Sequence, residues 1–226
     1  MTSPSTPGTC WSVVIPVKLL SLAKSRLAGA SAVAAGTGSA RADLALAMAA
    51  DTVEAALGTA SVRLVVVVTD DARASRALGA LGAMVVTDAP AAGLNAALAH
   101  GASVAAVRAP NCGVAALAGD LPALRSDELG AALAAAAQFP RALVSDNAGS
   151  GTTLLTARPG VPLDPAYGES SRAAHEAAGV RALALDGLPG LRSDVDTGCD
   201  LSAAGELGVG RHTAALLTPA EDLSSS

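Results

Sequence analysis

The chain has 226 residues, a formal net charge of −5 and almost no aromatic side chains, with one Trp, one Tyr and one Phe. This length suits one α/β domain with a sizeable core. The acidic balance excludes a non-specific nucleic-acid binder, and the lack of aromatic residues excludes a base-stacking surface for single strands.

No membrane partner is expected, because Asp, Arg or Gly interrupts every apolar stretch before it reaches membrane-spanning length. The first eight residues lack the charged start and apolar core of a signal peptide. Three widely spaced cysteines, Cys10, Cys112 and Cys199, have no metal-ligand spacing and are predicted to be reduced. Together these features predict a cytoplasmic protein.

The predicted elements alternate between strand and helix. In chain order they are strand 11–17, helix 41–57, strand 62–68, helix 69–81, strand 83–87, helix 93–107, strand 113–118, helix 126–137, strands 142–145 and 152–157, helix 170–178, strand 180–185 and helix 200–208. Such alternation predicts an α/β fold in which a mainly parallel sheet carries helices on both faces. Ligands of these sheets bind beyond the carboxyl ends of the strands.

The domain organisation is predicted to be simple. Residues 1–10 are expected to be a flexible segment, residues 11–217 one domain, and residues 218–226 a disordered polar tail. The stretch 28–40 is rich in small residues and is expected to form a mobile loop over the site.

Three cations follow the first predicted strand, namely Lys18, Lys24 and Arg26. A buried strand that ends in a cationic loop can hold phosphate groups, and nucleotidyl transfer needs cations because charge builds on the departing pyrophosphate. The alternative is an ordinary solvated basic loop. The chain has neither a Walker A sequence nor a GxGxxG motif, so P-loop and dinucleotide folds are poor fits.

Three carboxylates stand where later strands are predicted to end. Asp120 precedes Leu121–Pro122, and Asp194 and Asp196 lie two residues apart on one side of an extended segment. Like charges so placed repel each other unless a cation lies between them, and carboxylates are good ligands for a hard divalent ion. The alternative is a turn at Asp120 and an exposed acidic pair, with Asp200 capping the next helix. Cations and acids together predict a nucleotidyl-transfer site.

Glycine and hydroxyl residues form two candidate anion cradles, Ser150–Thr153 and Gly168–Ser171. Each is equally well explained as a turn followed by a helix cap. Gly93 and Asn95 start a predicted helix and are candidates for reading a purine edge, although Asn is common near helix starts. His175 is predicted to be structural.

The order of these motifs resembles the 2-phospho-L-lactate/phosphoenolpyruvate guanylyltransferases of coenzyme F-420 biosynthesis. The resemblance covers residues 12–205 and rests on Val14–Lys18, Ala23–Leu27, Gly93–Leu98, Ala118–Leu124, Gly151–Leu155, Tyr167–Ser171 with His175, and Asp194–Thr197. Ser170 stands where the family would have a glycine.

The resemblance implies a GT-A-like nucleotidyltransferase form of the Rossmann-type sandwich. It implies transfer of GMP from GTP to a phosphorylated three-carbon acid with Mg²⁺, and a downstream transferase that takes the product. Asp120, Asp194 and Asp196 would be the metal ligands, and Thr153, Gly168 and Ser171 would hold the acid. Lys18, Lys24, Arg26, Gly93 and Asn95 would bind the nucleotide, with Asp120 and the three cations as the catalytic group.

Two rival functions stay open. A molybdopterin or sugar-phosphate nucleotidyltransferase is one, although such enzymes open with a glycine-rich loop that this chain lacks. A non-catalytic nucleotide-binding regulator on the same fold is the other, but all three candidate metal carboxylates are present. The identity of the acid depends on the pocket shape around one small group, and a slight preference goes to phosphoenolpyruvate.

Overall fold

The computed structural model describes residues 10–18, 38–89 and 91–217. The predictions for residues 1–9, for residues 28–37, for Lys24 and Arg26, and for the tail 218–226 therefore lie outside the described residues. Residues 38–40, expected to belong to a loop, are the first turn of a helix.

The described residues contain seven strands and eight helices. The strands are β1 Trp11–Pro16, β2 Val62–Val68, β3 Met84–Val86, β4 Gly113–Leu117, β5 Arg141–Ser145, β6 Thr152–Ala157 and β7 Arg181–Ala182. The helices are α1 Gly38–Leu57, α2 Ala72–Ala80, α3 Leu94–Arg108, α4 Ser126–Ala136, α5 Ser171–Ala177, α6 Pro189–Arg192, α7 Gly198–Leu207 and α8 Arg211–Leu217.

All seven strands form one sheet in the order β3-β2-β1-β4-β6-β5-β7. The pairs β1–β2, β1–β4, β2–β3 and β5–β7 are parallel, whereas β6 is antiparallel to both β4 and β5. The prediction of a mainly parallel sheet is therefore confirmed. The predicted strand 180–185 is reduced to the two residues of β7.

The two faces of the sheet pack against different helices, as strand geometry requires. Val13 and Ile15 of β1 join one buried cluster with residues of α1, α2 and α4, and Val14 joins a second cluster with α3. The prediction of helices on both faces is thus confirmed. The core is built from Ala, Val and Leu, and Trp11 is its one large aromatic side chain among the described residues.

Close packing of small residues brings α3 against the sheet. Gly101 of α3 lies so near Val14 and Val68 that a Cβ atom added to it would come within 2.5 Å and 2.7 Å of their methyl groups. A larger residue there would require the helix to move away from the sheet.

Cys10 and Cys112 form a disulfide, which corrects the prediction that all three cysteines are reduced. The two residues are 102 positions apart in sequence, but they precede the neighbouring parallel strands β1 and β4. Cys199 is free and exposed. None of the helices in the part of the chain described is long and apolar enough to cross a membrane.

Candidate active site

A cavity of about 790 Å³ opens at the carboxyl edge of the sheet. It lies beyond the ends of β1 and β4 and beside the turn between β5 and β6, where the parallel sheet is expected to bind ligands. Its polar lining includes Lys18, Asp120, Asp146, Ser150, Thr152, Glu169, Ser170, Ser171, Asp194 and Asp196.

Asp70 and Asp88 also follow strands of this sheet, but they do not line the cavity. The Asp88 amide donates to Asp70 Oδ1 at 3.0 Å, which joins the two loops that follow β2 and β3. Of the acids that directly follow strands of the sheet, Asp120 and Asp146 therefore line the cavity, whereas Asp70 and Asp88 lie outside it.

Backbone hydrogen bonds bring the two acidic segments together. The Val195 amide donates to the Asp120 carbonyl at 3.1 Å, so the segment that carries Asp194 and Asp196 lies directly against the end of β4. On its other side, the Asn147 amide donates to the Arg192 carbonyl at 2.9 Å, and Asn147 Nδ2 donates to Ser193 Oγ at 2.7 Å. The three predicted metal carboxylates thus share one cavity, although 74 positions separate Asp120 from Asp194 in the sequence.

Asp200 takes part in capping the helix after this segment, as the alternative reading of the acidic pair predicted, but it is not the N-cap residue itself. Thr197 is the N-cap of α7, and Asp200 is the third helical residue of a capping box with it. Asp200 Oδ2 accepts hydrogen bonds from the amides of Thr197 at 2.7 Å and Asp196 at 3.2 Å. This box fixes the backbone on the far side of the acidic pair.

The pKa of Asp194 is raised to about 6, and burial is the largest cause. The negative charges of Asp120, Asp196 and Asp146 contribute to this rise, while a backbone hydrogen bond opposes it. A carboxyl group surrounded by three others resists ionisation until positive charge is supplied. The electrostatics of the cavity therefore favour a bound cation.

Asp146 belongs to this acidic group and was not predicted as a site residue. Its carboxylate accepts the amides of Ser150 at 3.0 Å and Gly151 at 2.9 Å, and so it shapes the turn between β5 and β6. A Cβ atom on Gly151 would come within 2.4 Å of Asp146 Oδ2, so this turn has no room for a side chain there. The available signal was the position of Asp146 directly after a predicted strand.

Lys18 is the predicted cation that the structure describes. It follows β1, is exposed and lines the same cavity as Asp120, which follows β4. A phosphate placed beside it would have a mobile ammonium group as a partner.

Residues 168–171 form a tight turn beside the acids. The Ser171 amide donates to the Gly168 carbonyl at 3.2 Å, and Ser171 begins α5 with only 2% of its surface exposed. Ser170 has the left-handed backbone angles φ 56° and ψ 37°, which glycine adopts at lower cost than serine. This conformation explains why a glycine was expected at position 170.

The threonines of the first cradle face different surroundings. Thr152 lines the cavity, whereas Thr153 is 1% exposed and its Oγ1 donates to the Val144 carbonyl at 3.4 Å. The Thr153 carbonyl accepts the Ala118 amide at 2.8 Å, which connects it to the loop before Asp120. A role for Thr153 in holding the acid stays a prediction.

Asn95 lies in the first turn of α3, and its side chain binds the backbone of Tyr167. Its Oδ1 accepts the Tyr167 amide at 2.7 Å, and its Nδ2 donates to the Tyr167 carbonyl at 3.0 Å. Gly93 is the N-cap of the helix with φ 94°, a conformation that favours glycine, and it does not line the cavity. The Asn95 side chain therefore contacts the loop before Gly168. Its role in reading the base stays a prediction.

A second group of possible metal ligands lies outside the cavity. Oxygen and nitrogen atoms of Asp51, Glu54 and His212 come within 4.8 Å of one another. Asp51 accepts the amides of His212 and Thr213, both at 2.9 Å, and Glu54 pairs with Arg211. These acids are thus used to attach α8 to α1.

The comparison with protein families agrees with the geometry. The family model described as "Guanylyl transferase CofC like" matches residues 11–213. A phosphoenolpyruvate guanylyltransferase of Thermomonospora curvata is 57% identical over 206 residues, which cover 91% of this chain and 88% of the relative. The phosphoenolpyruvate guanylyltransferase of Streptomyces coelicolor is 56% identical and covers 91% of this chain and 95% of the relative.

Solved structures share the fold at low sequence identity. CMP:2-keto-3-deoxy-manno-octonic acid synthetase complexed with CTP has a TM-score of 0.57 at 18% identity, over 88% of this chain and 98% of that chain. Rv0371c from Mycobacterium tuberculosis has a TM-score of 0.56 at 21% identity, over 89% and 100%. The likeness to these two structures confirms an α/β nucleotidyltransferase fold. From the family match and the relatives, this chain is a member of the CofC-like guanylyl transferase family and an enzyme of the nucleotidyltransferase class.

Proposed function

We propose that this enzyme transfers GMP from GTP to phosphoenolpyruvate and releases pyrophosphate. The single observation that carries the proposal is one cavity that combines a lysine, five carboxylates and a serine-glycine turn at the carboxyl edge of the sheet. The names of the relatives support phosphoenolpyruvate as the acceptor. The related acceptor 2-phospho-L-lactate differs around one small group and is the alternative within the same chemistry.

The acceptor supplies its own nucleophile. A phosphate oxygen of phosphoenolpyruvate attacks the α-phosphorus of GTP in line with the bond to the β-phosphate, and that bond breaks to release pyrophosphate. Phosphomonoesters have a second pKa near about 6, so this oxygen is largely ionised at neutral pH. A side-chain general base is therefore not required, which fits a buried and neutral His175.

The predicted site residues divide between the two substrates. Lys18, with Lys24 and Arg26 from the predicted cationic loop, would neutralise the triphosphate, and Gly93 would admit the nucleotide beside α3. The exposed Gly168 and the nearly buried Ser171 would offer backbone and hydroxyl donors to the acceptor. Thr153, which lies in β6, would help to hold the acceptor acid.

The carboxylates fit a hard divalent cation such as Mg²⁺. Asp120, Asp194 and Asp196 would hold it, since burial and the neighbouring negative charges make the charge of Asp194 costly without one. Such an ion, when bound, neutralises phosphate charge and orients the two reacting groups. Asp146 would keep the adjoining turn in place through its two amide contacts.

The proposal is tested by measuring pyrophosphate release from GTP and Mg²⁺ with phosphoenolpyruvate, 2-phospho-L-lactate or 3-phospho-D-glycerate supplied separately. Release that depends on phosphoenolpyruvate, with a new phosphodiester product, is the expected result. Release that depends on another acid would replace the acceptor, and no release with any of them in a GTP-binding protein would refute the proposed reaction.

Two matched variants show whether the signal comes from this site. Asp120→Asn should reduce turnover at least about 100-fold, because it removes a charge from the centre of the cavity. Asp70→Asn is the control, since Asp70 lies at the same sheet edge but outside the cavity, and an amide oxygen can still accept the Asp88 amide.

A further inference from the structure

The backbone of residues 166–168, here named the strap, runs from β6 toward the turn that begins α5. Two side chains from different elements hold it. Asn95 of α3 makes a pair of hydrogen bonds to the amide and the carbonyl of Tyr167, and His175 of α5 accepts the Ala166 amide on Nε2 at 2.9 Å. Consecutive peptide groups of the strap are thus anchored to two helices.

The His175 contact is specific to one protonation state. Because a backbone amide can only donate, Nε2 must carry a lone pair, so the ring proton lies on Nδ1 and points to Thr152 Oγ1 at 3.0 Å. The ring is fully buried and meets Tyr167 edge-on, with 5.2 Å between the ring centroids. His175 therefore ties the strap to the start of β6, next to the acidic cavity.

Tyr167 itself is directed into the sheet. Its hydroxyl donates to the Ala116 carbonyl of β4 at 3.5 Å, four residues before Asp120. Gly168, with an exposed backbone and φ 155°, follows at once and starts the turn that ends in Ser171. The position of this turn relative to the carboxylates thus depends on where Tyr167 is held.

We propose that Asn95 is a positioning residue for the acceptor, which places the turn Gly168–Ser171 by fixing the backbone of Tyr167. This inference rests on the proposed function, because it assigns that turn to the phosphorylated acid. Asn95 connects the first turn of α3, on the nucleotide side of the cavity, with the loop on the acceptor side. The two substrate sites are then held at a set distance by one carboxamide.

The geometry favours this role over direct base reading. Both the oxygen and the nitrogen of the Asn95 side chain are engaged by the backbone of one residue, Tyr167, with distances of 2.7 Å to its amide and 3.0 Å to its carbonyl. Leu94 and Leu98 of the same helix line the cavity, whereas Asn95 does not. The part of α3 that faces the cavity is therefore apolar, and the amide points to the strap.

The first test is the kinetic effect of Asn95→Ala. Loss of two hydrogen bonds that hold the turn should raise KM for the acid about tenfold, while KM for GTP changes by less than about twofold. A rise confined to KM for GTP, or a relaxed preference for guanine, would overturn the proposal in favour of base reading. Unchanged kinetics in a folded variant would also overturn it. Ser103→Ala is the matched control, because it removes one hydrogen bond from the exposed side of the same helix.

A second variant gives a readout that a purely structural role would not move. In Asn95→Asp the ionised carboxylate can accept the Tyr167 amide but repels its carbonyl, whereas the protonated acid can donate and accept as the amide does. The Tyr167 carbonyl disfavours the ionised form and so raises the pKa of the introduced carboxyl above the usual value of about 3.9. The ratio of acceptor KM between this variant and the native enzyme should therefore fall as the pH is lowered from 8 toward 4.5. A ratio that does not change with pH would count against the proposal.

Hydrogen exchange separates this inference from the proposed reaction. In Asn95→Ala the Tyr167 amide should lose protection without any substrate present, and the Ala166 amide, bonded to His175, should lose less. If the native enzyme released no pyrophosphate but the Tyr167 amide lost protection, the proposed function would fail and the anchoring would stand. Unchanged protection at Tyr167 would refute the anchoring itself.

Discussion

Replacing Asp194 by Asn should make the metal-free protein more stable while it abolishes activity. Burial and three neighbouring carboxylates raise the pKa of Asp194 to about 6, so at neutral pH the folded protein carries a charge that its surroundings oppose. An amide has nearly the same shape and no charge. The same side chain that the reaction is proposed to need therefore destabilises the fold until a cation is bound.

The magnitude follows from the shift in pKa. A rise from 3.8 to about 6 corresponds to about 3 kcal/mol, and solvent screening of a half-buried group reduces this to about 1–2 kcal/mol. Between these two pKa values the folded state binds more protons than the unfolded state, so native stability falls as pH rises through this window. For a domain of this size, the variant should melt roughly 3–6 °C higher at pH 7.5.

The assay is thermal and urea unfolding of both proteins in EDTA at pH values from 4 to 8. The difference between them should be largest above pH 6 and should shrink toward pH 4, where Asp194 of the native sequence is protonated in the folded state and begins to be protonated in the unfolded state. Adding Mg²⁺ should raise the melting temperature of the native protein more than that of the variant. Equal stabilities at pH 7.5, or a difference that does not depend on pH, would refute the reasoning.

Two further predictions concern the scaffold. Gly101→Ala should lower the free energy of unfolding in urea by about 1–3 kcal/mol, because its Cβ would overlap two valine methyl groups. Gly205→Ala in α7 has open space around it and should raise that free energy by about 0.5–1 kcal/mol. Equal effects of the two substitutions would contradict the packing argument. Thiol titration in denaturant should find one free thiol, that of Cys199, and three after reduction, and reduction of Cys10–Cys112 should cost about 2–4 kcal/mol. Three thiols before reduction would show that the disulfide is absent.

The positions of the strands were predictable because apolar runs such as 62–68 are typical of strands buried on both faces. The direction of β6 was not read from its residues, since Thr152–Ala157 is buried along its whole length in either direction. A signal did exist in the connection of six residues from Asp146 to Gly151. A parallel crossover needs a dozen residues or more, so this turn can only join antiparallel strands.

The candidate site, like the fold, was predicted in part from the sequence. Asp120, Asp194 and Asp196 were found because carboxylates stood at predicted strand ends, and the structure places them in one cavity. Asp146 met the same criterion and was passed over, since nothing in the sequence shows that its loop lies against residues 192–193. The contact of Asn95 with Tyr167 joins positions 72 residues apart, and no local pattern reports such a pair.

The Cys10–Cys112 disulfide has a consequence for the opposite end of the sheet. It joins the residues that precede β1 and β4, and the ring of Trp11 lies over Gly113, where no side chain would fit. These two contacts fix the register between the two strands. A slip of one residue between them would shift their far ends by about 3.3 Å, more than the length of a hydrogen bond. Those far ends lead into Lys18 and Asp120. The disulfide at the amino ends of the two strands therefore sets the relative positions of Lys18 and Asp120 at their carboxyl ends.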